Sequence, residues 1–237
     1  SQLVRGNLVF AFAGDIDPEH AARGAEAIAS ALPAGPALAD PVQEPTARTG
    51  RHLIFVDKPD RTQTQILIGN LATHPRDPEH FPLLVANTIY GGTFTSRLTR
   101  EVRGKRGWSY GAYSSLAYDR RRQTFSMWTF PKADDAAACI ALELELLEAW
   151  QSGGVTPEEL TWVQQYLGRS HAFDRDTTSK RVGLKLEELL CDLPAGFYSS
   201  YVQSIQAVTL AQANEAVQRR IKPQDLLIVV VGTHATT

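Results

Sequence analysis

Short runs rich in β-branched and aromatic residues, several of them alternating with polar ones, predict β-strands along the chain. The predicted strands are residues 8–13, 52–56, 62–69, 108–115, 123–131 and 225–232. Apolar residues spaced three and four positions apart predict helices between them. The predicted helices are residues 18–32, 81–90, 94–103, 134–151, 157–174, 181–193 and 210–220. This order predicts an α+β fold, in which helices pack on one face of a mostly antiparallel sheet.

Residues at the predicted helix starts support these assignments. Asp17 followed by Pro18 fits an N-cap and a first-turn proline. Thr156, Pro157 and Glu159 form the pattern of a capping box, in which the hydroxyl and the carboxylate bind backbone N–H groups reciprocally. Both patterns mark the point at which a helix begins.

Two of the predicted helices have a marked apolar side. In residues 134–151 that side carries Ile140, Leu144, Leu147 and Trp150, with Glu143, Glu145 and Glu148 on the other sides. In residues 181–193 the inward positions are Val182, Leu186, Leu189, Leu190 and Leu193. The adjacent Glu187 and Glu188 point in different directions on a helix, so we expect them to be solvated. His171 and Asp174 predict a surface hydrogen bond without a catalytic role.

The composition is that of an ordinary globular protein and excludes several functional classes. The 237 residues are 43% hydrophobic and 21% charged, and Lys+Arg 24 against Asp+Glu 26 gives a net charge of −2. Because there is no global basic field, we expect neither nucleic acid nor an anionic membrane as a partner. No apolar run reaches the roughly 18 residues of a membrane helix, so no membrane insertion is predicted. The dense basic run at residues 120–122 fits a solvated hairpin turn.

The most informative segment is residues 91–115, GGTFTSRLTREVRGKRGWSYGAYSS. A glycine pair ends the preceding helix, and a short amphipathic helix follows whose apolar face carries Phe94, Leu98 and Val102. Further glycines break that helix and lead into a strand of aromatic and small residues.

This order of roles resembles a signature of the pitrilysin/insulinase (inverzincin) zinc peptidases, and is similar to the mitochondrial processing peptidase subunits. In the non-catalytic half of that family an arginine and a tyrosine seven residues later hold the substrate, and Arg103 and Tyr110 match these positions. The chemistry agrees, because a guanidinium and a phenol offer donors to a peptide carbonyl beside a zinc-bound water. The structural alternative remains open, since surface arginines are usually solvated and strand tyrosines usually pack their rings.

The zinc signature of that family is missing from the chain. The catalytic half carries H-x-x-E-H, and the six histidines never show that spacing. The nearest approach, residues 74–80, has Arg76 at the first ligand position and two prolines, which predicts a loop and a helix start. In the next helix Leu83, Ala86 and Asn87 fall at the ligand and base positions. We therefore expect a core-packing helix, no bound metal and no catalytic residue in this chain.

The resemblance also implies a division of the chain. The strand-to-glycine endings at Gly14 and Gly232 look like two copies of one element. Residues 1–35 accordingly resemble the tail of a preceding homologous half, and residues 51–237 a non-catalytic peptidase-like domain. Residues 36–50 fit an extended linker. Its prolines are Pro36, Pro41 and Pro45.

The function implied by the resemblance is that of a substrate-binding, non-catalytic half or subunit of a zinc endopeptidase. The expected partners are a peptide substrate and a separate catalytic half that supplies H-x-x-E-H and the zinc. The alternative is a non-proteolytic structural subunit of the same fold, like the core proteins of the respiratory cytochrome complex. Retention of Arg103 and Tyr110 favours the peptidase half. Bacterial periplasm and cytoplasm both stay open as locations.

Overall fold

The computed structural model describes residues 3–39 and 42–234 and shows one sheet with helices on one face. The strands are β1 His52–Asp57, β2 Gln65–Leu71, β3 Ala112–Leu116, β4 Thr124–Thr129 and β5 Leu227–Gly232. The helices are α1 Pro18–Ser30, α2 His80–Tyr90, α3 Arg97–Thr99, α4 Ala136–Gly153, α5 Pro157–Ser170, α6 Thr178–Leu190, α7 Tyr201–Gln206 and α8 Leu210–Arg220. A π-helical turn, Arg100–Lys105, continues α3, and short 3-10 turns lie at Arg5–Asn7, Ala133–Asp135 and Phe173–Arg175.

The strands follow the order β1-β5-β2-β4-β3 across the sheet. Strand β5 pairs antiparallel with β2, and β4 pairs antiparallel with both β2 and β3. Only the β1–β5 pair is parallel among the described strands, with His52 opposite Leu227. The expected α+β class with a mostly antiparallel sheet is therefore confirmed.

Alternation along the central strands separates a covered face from an open one. The covered face carries Ile66, Ile68, Phe125, Met127, Ile228 and Val230, all buried in the core with residues of α2, α4 and α8. On the opposite face Leu67 and Trp128 remain exposed. Each large apolar side chain buried in this way stabilises the fold by roughly 1.5–3 kcal/mol.

The N-terminal region behaves differently from the rest of the chain. Helix α1 forms as expected, because the N–H of His20 donates to Asp17 Oδ2 at 3.0 Å. The strand expected at residues 8–13 is wrong, since the structure has neither strand nor helix there. None of the described residues 3–39 is buried, and a strand without a neighbouring strand leaves its hydrogen-bonding groups unpaired. Pro41 of the expected linker lies outside the described residues.

The basic turn at residues 120–122 joins β3 to β4, as expected of a hairpin. However, the arginine side chains of this turn also form hydrogen bonds with the segment that precedes β1. Arg121 Nε donates to Val42 O at 3.0 Å, and Arg122 Nε donates to Glu44 at 2.5 Å. The turn therefore holds the segment that precedes β1, and the expectation of a merely solvated run is wrong.

Two helix faces also differ from expectation. Glu143 on α4 is completely buried, whereas the pattern placed it away from the apolar side. Helix α6 has no buried residue, and Leu189 and Leu190 are exposed instead of inward.

Cys139 is buried and Cys191 half-buried, and both are free thiols. Within the described ranges, no helix is both long and apolar enough to span a membrane.

Candidate functional site

The C-terminal end of α2 is locked onto strand β3. The N–H of Ser114 donates to Gly91 O at 2.9 Å, and a Cβ at residue 91 would collide with Ser114, so this close approach requires glycine. Asn87 accepts a hydrogen bond from Ser114 Oγ at 2.7 Å and donates to Ser114 O at 3.4 Å. Helix end and strand thus form a fixed frame around the segment that joins them.

Thr99 ties the short helix α3 to the same strand. Its buried hydroxyl donates to Ala112 O at 2.7 Å, and Ser96 Oγ caps the helix by accepting from the Thr99 N–H. Leu98 and Val102 are completely buried, as the amphipathic pattern predicted. Phe94 is 61% exposed, so its expected place on the apolar face is wrong.

A π-helical turn carries the candidate arginine. Arg103 lies within Arg100–Lys105, where the backbone widens from α to π geometry. Such turns are rare and recur at functional sites. Gly107, with φ +65°, ends the turn by donating its N–H to Arg103 O at 3.0 Å. That left-handed conformation favours glycine over any other residue.

Tyr110 lies on a bend rather than in a strand. Ser109 Oγ donates to Gly111 O at 2.5 Å and accepts from the N–H of Phe130 at 3.0 Å. These contacts draw the backbone into a corner, so β3 begins only at Ala112 and the expected strand start at residue 108 is wrong. The corner leaves the Tyr110 side chain 72% exposed.

The structure brings Arg103 and Tyr110 together and adds a third residue that the sequence reading missed. Arg103 Cζ lies 4.3 Å from the Phe94 ring centroid and 4.3 Å from the Tyr110 ring centroid. Each cation–π contact of this exposed kind contributes about 0.5–1 kcal/mol. An exposed aromatic nine residues before the arginine was the signal available in the sequence.

One nitrogen of this arginine is left without a partner. Arg103 Nη1 is shielded from solvent and has no hydrogen-bond acceptor among the residues that the structure describes. A guanidinium does not lose its proton in proteins, so Arg103 keeps its charge and Nη1 remains a donor without an acceptor. This nitrogen can therefore donate to an acceptor from outside the chain once a covering side chain moves aside.

The neighbouring basic residues have partners of their own. Arg97 donates to both carboxylate oxygens of Glu159, at 2.8 and 2.5 Å, and to Gly154 O at 2.9 Å. Lys105 and Arg106 both bind Glu101, and the hydrogen bond from Lys105 is the main cause that lowers the pKa of that carboxyl. These contacts are intramolecular and support the local fold.

The positions corresponding to a zinc site do not fit the metal. Leu83 and Ala86 are completely buried apolar residues, and Asn87 is committed to Ser114. His74 lies in a loop, with Nε2 3.3 Å from Cys191 O, and α2 begins at His80, as predicted. Over residues 3–39 and 42–234, no group of three or more His, Cys, Asp or Glu side chains could hold a metal ion.

Three polar residues expected at the surface are instead engaged around Tyr198. His171 is buried, with Nε2 3.2 Å from Tyr198 O and its ring stacked on Tyr201. Glu187 accepts from the Tyr198 hydroxyl, and Glu188 accepts from its N–H at 3.2 Å. The expected contact between His171 and Asp174 is present, with Nδ1 3.7 Å from Oδ2, but the histidine is buried and not at the surface. The expectation of solvated carboxylates is wrong.

A family model described as the peptidase M16 inactive domain matches residues 3–167. The chain belongs to this family. The match confirms the resemblance to zinc peptidases that residues 91–115 carried, and it confirms the non-catalytic type of half. In this M16 inactive domain the Arg103 cluster, consisting of Phe94, Arg103 and Tyr110, is the candidate site.

Relatives show how much of a longer protein the M16 inactive domain represents. The structure of a peptidase M16 inactive domain from Pseudomonas fluorescens has a TM-score of 0.83 and 26% identity, covering 99% of this chain and 56% of that one. An uncharacterized zinc protease of Mycobacterium leprae is 30% identical over 154 residues, which is 64% of this chain and 34% of the relative. The non-peptidase homolog YmxG of Helicobacter pylori is 23% identical over 144 residues, which is 61% of this chain and 33% of the relative. The chain thus spans well under two thirds of each relative.

Proposed function

We propose that this M16 inactive domain binds the backbone of a peptide substrate through Arg103 and Tyr110. It would form one wall of a peptide-binding chamber, and the zinc-bearing H-x-x-E-H half would form the other. The observation that carries the proposal is the unpartnered Nη1 of a guanidinium fixed between two exposed rings. A peptide carbonyl is an acceptor of the right kind for this donor.

The aromatic rings prepare the arginine for binding. A free arginine side chain loses rotamer entropy when it binds, whereas one already stacked between Phe94 and Tyr110 has lost most of it beforehand. The Tyr110 hydroxyl is a second donor beside the guanidinium. Together they could hold one carbonyl oxygen and stabilise negative charge that develops on it.

We also propose the division of the chain that the sequence predicted. Residues 3–39 bury no side chain against the sheet domain. We therefore assign residues 1–35 to the tail of a preceding half and residues 36–50 to a linker, with residues 51–237 as the domain that carries the site. We assign the catalytic zinc to the other half, since no group of metal-binding side chains lies among residues 3–39 and 42–234.

The test compares two arginines that both stack on aromatic rings. Arg103→Met removes the proposed donor, while Arg106→Met is a matched control, since Arg106 lies 5.5 Å from the Trp108 ring and pairs with Glu101. Binding of a fluorescent unstructured peptide and its cleavage after mixing with the catalytic half would be measured. We expect kcat/KM to fall about 100-fold for Arg103→Met, about 10-fold for Tyr110→Phe, and less than about 2-fold for the control.

Unchanged kcat/KM in both Arg103→Met and Tyr110→Phe would remove the proposed role. A structural, non-proteolytic subunit is the second candidate, favoured by the name of the Helicobacter pylori relative as a non-peptidase homolog. A wild-type chain that neither binds the peptide nor supports cleavage would favour that candidate.

A further inference from the structure

A cavity of about 470 Å³ lies between α6 and the N-terminal end of α2. Half of its lining residues carry aromatic rings, namely His80, Tyr118, His171, Phe197, Tyr198 and Tyr201. Both the volume and the aromatic lining with a few convergent polar groups are typical of small-molecule sites. None of the residues that line this cavity belongs to the Arg103 cluster, so it is a separate site.

One polar atom in the wall lacks a partner. His80 is 1% exposed and its Nδ1 lies 3.2 Å from Thr73 Oγ1. Its Nε2 is shielded from solvent and has no hydrogen-bond partner within the described part of the chain. Burial lowers the pKa of His80 to about 4, so the ring is neutral at physiological pH. A ligand group that can both donate and accept would complete Nε2 in either tautomer, once a covering side chain of the wall moves aside.

Helix α6 contributes a glycine, Gly183, to the wall of the cavity. Gly183 lies inside α6, where glycine destabilises a helix relative to alanine. A Cβ added there would meet no atom within 4 Å, so packing does not require glycine at this position. Gly183 lines the cavity, so a larger side chain at this position has free space to occupy.

The charged groups of the cavity wall are Asp174, Lys180 and Glu187, and each has a contact within the chain. Asp174 Oδ2 lies 3.7 Å from His171 Nδ1. Lys180 Nζ lies 3.0 Å from Asp176 and donates to Phe173 O at 2.7 Å. Glu187 accepts from the Tyr198 hydroxyl, which itself lies 2.7 Å from the Tyr118 hydroxyl. A charged ligand would therefore have to displace existing contacts, whereas an uncharged one would not.

We propose that this cavity binds an uncharged, planar aromatic molecule that carries an amide or hydroxyl group. The ring packs among Phe197, Tyr201 and His171, and the polar group completes His80 Nε2. This site is independent of peptide binding at the Arg103 cluster.

The experiment uses 2-naphthamide as the probe, with 2-naphthoate and cyclohexanecarboxamide as charged and non-planar comparisons. Isothermal titration on the 237-residue chain should give a Kd on the order of 0.1–1 mM for 2-naphthamide. Each comparison compound should bind at least about 10-fold more weakly. Equal binding of 2-naphthoate would overturn the uncharged class, and no binding of 2-naphthamide would overturn the site.

Gly183→Leu adds a larger side chain at a position that lines the cavity, where the added Cβ meets no atom within 4 Å. We expect it to weaken 2-naphthamide binding at least about 10-fold while the melting temperature is unchanged or raised. Gly24→Leu is the matched control, because Gly24 is also inside a helix with no atom near an added Cβ. Wild-type affinity in Gly183→Leu contradicts the proposal.

A ligand-induced shift of the His80 Nε2 resonance in ¹⁵N NMR checks the contact between the ligand and His80 directly. Absence of that shift in a saturated complex would remove His80 from the site.

Discussion

Glu143 and Arg103 are two ionisable residues, and each has a buried side-chain atom without a hydrogen-bond partner in the described structure. They differ in whether the side chain can become neutral. Glu143 is a buried residue of α4. Thr129 Oγ1 donates to one of its carboxylate oxygens at 3.3 Å, and the other oxygen has no partner in the described structure. Arg103 lies near the surface between two exposed rings. The first belongs to the core, and the second to the candidate site.

The difference lies in the chemistry of the two groups. Burial raises the pKa of Glu143 to about 8, so the carboxyl becomes neutral by keeping a proton. A guanidinium has no such route at any physiological pH. A carboxyl with an unpartnered atom can therefore persist in the core as a neutral group, whereas an arginine keeps both its charge and its unpartnered donor.

The largest expected effect comes from replacing the buried carboxyl. The pKa of Glu143 in the folded protein, about 8, lies above the ordinary value of 4.5. The stability that the protonated carboxyl contributes is therefore complete below pH 4.5 and is lost as pH rises to about 8. The slope is up to about 1.4 kcal/mol per pH unit. Glu143→Gln should remove this slope and, at pH 8, unfold in urea with a free energy about 3 kcal/mol above the wild type.

The control for that experiment is Glu145→Gln on the same helix, because Glu145 is exposed. It should change the pH dependence by less than about 0.5 kcal/mol. Parallel stability curves for wild type and Glu143→Gln between pH 5 and 8 would show that the buried carboxyl is not protonated in the folded protein.

A second comparison separates a structural arginine from a ligand-binding one. Arg97 and Glu159 are 24% and 28% exposed, and their bidentate pair joins α3 to the start of α5. Arg97→Met should lower the free energy of unfolding by about 2 kcal/mol. Arg103→Met should change it by less than about 1 kcal/mol, because it loses exposed cation–π contacts and also removes an unpartnered donor. Equal losses in denaturant unfolding would contradict the distinction.

The smallest expected effect concerns the frame beneath the site. Thr99→Val deletes the hydroxyl that donates to Ala112 O and should cost about 1 kcal/mol of stability. Because this bond links the segment of Arg103 to that of Tyr110, peptide binding should weaken about 3- to 10-fold. Thr99→Ser keeps the hydroxyl and should restore the affinity. Failure of serine to restore binding while stability recovers would show that the hydroxyl does not position the site.

Local patterns predicted the parts of the fold that depend on neighbouring residues in sequence. The caps at Asp17 and Thr156 form as expected, and the Thr156 capping box is complete. Helix α2 is buried along most of its length, as its apolar pattern indicated. Caps and periodicity act within one or two turns, so the sequence alone displays them.

Contacts between distant residues decided what the pattern missed. Tyr110 leaves the strand because Ser109 binds Phe130, 21 residues further along the chain. Glu143 is buried because α4 contacts strand β4 on one side and helix α8 on another. The two contacts together cover more of the helix circumference than the apolar stripe at i, i+4 spacing predicts. Neither contact leaves a local signal.

The amino-acid sequence by itself determined the family, the α+β class and the absence of a zinc-binding pattern, because these depend on residue identity and spacing. The tertiary structure decided that Phe94 joins Arg103 and Tyr110 in one cluster and that one arginine nitrogen lacks a partner. It also created the cavity beneath α6. Stacking, solvent exclusion and cavity shape arise only when separate elements pack together, and for that reason they could not be deduced from sequence alone.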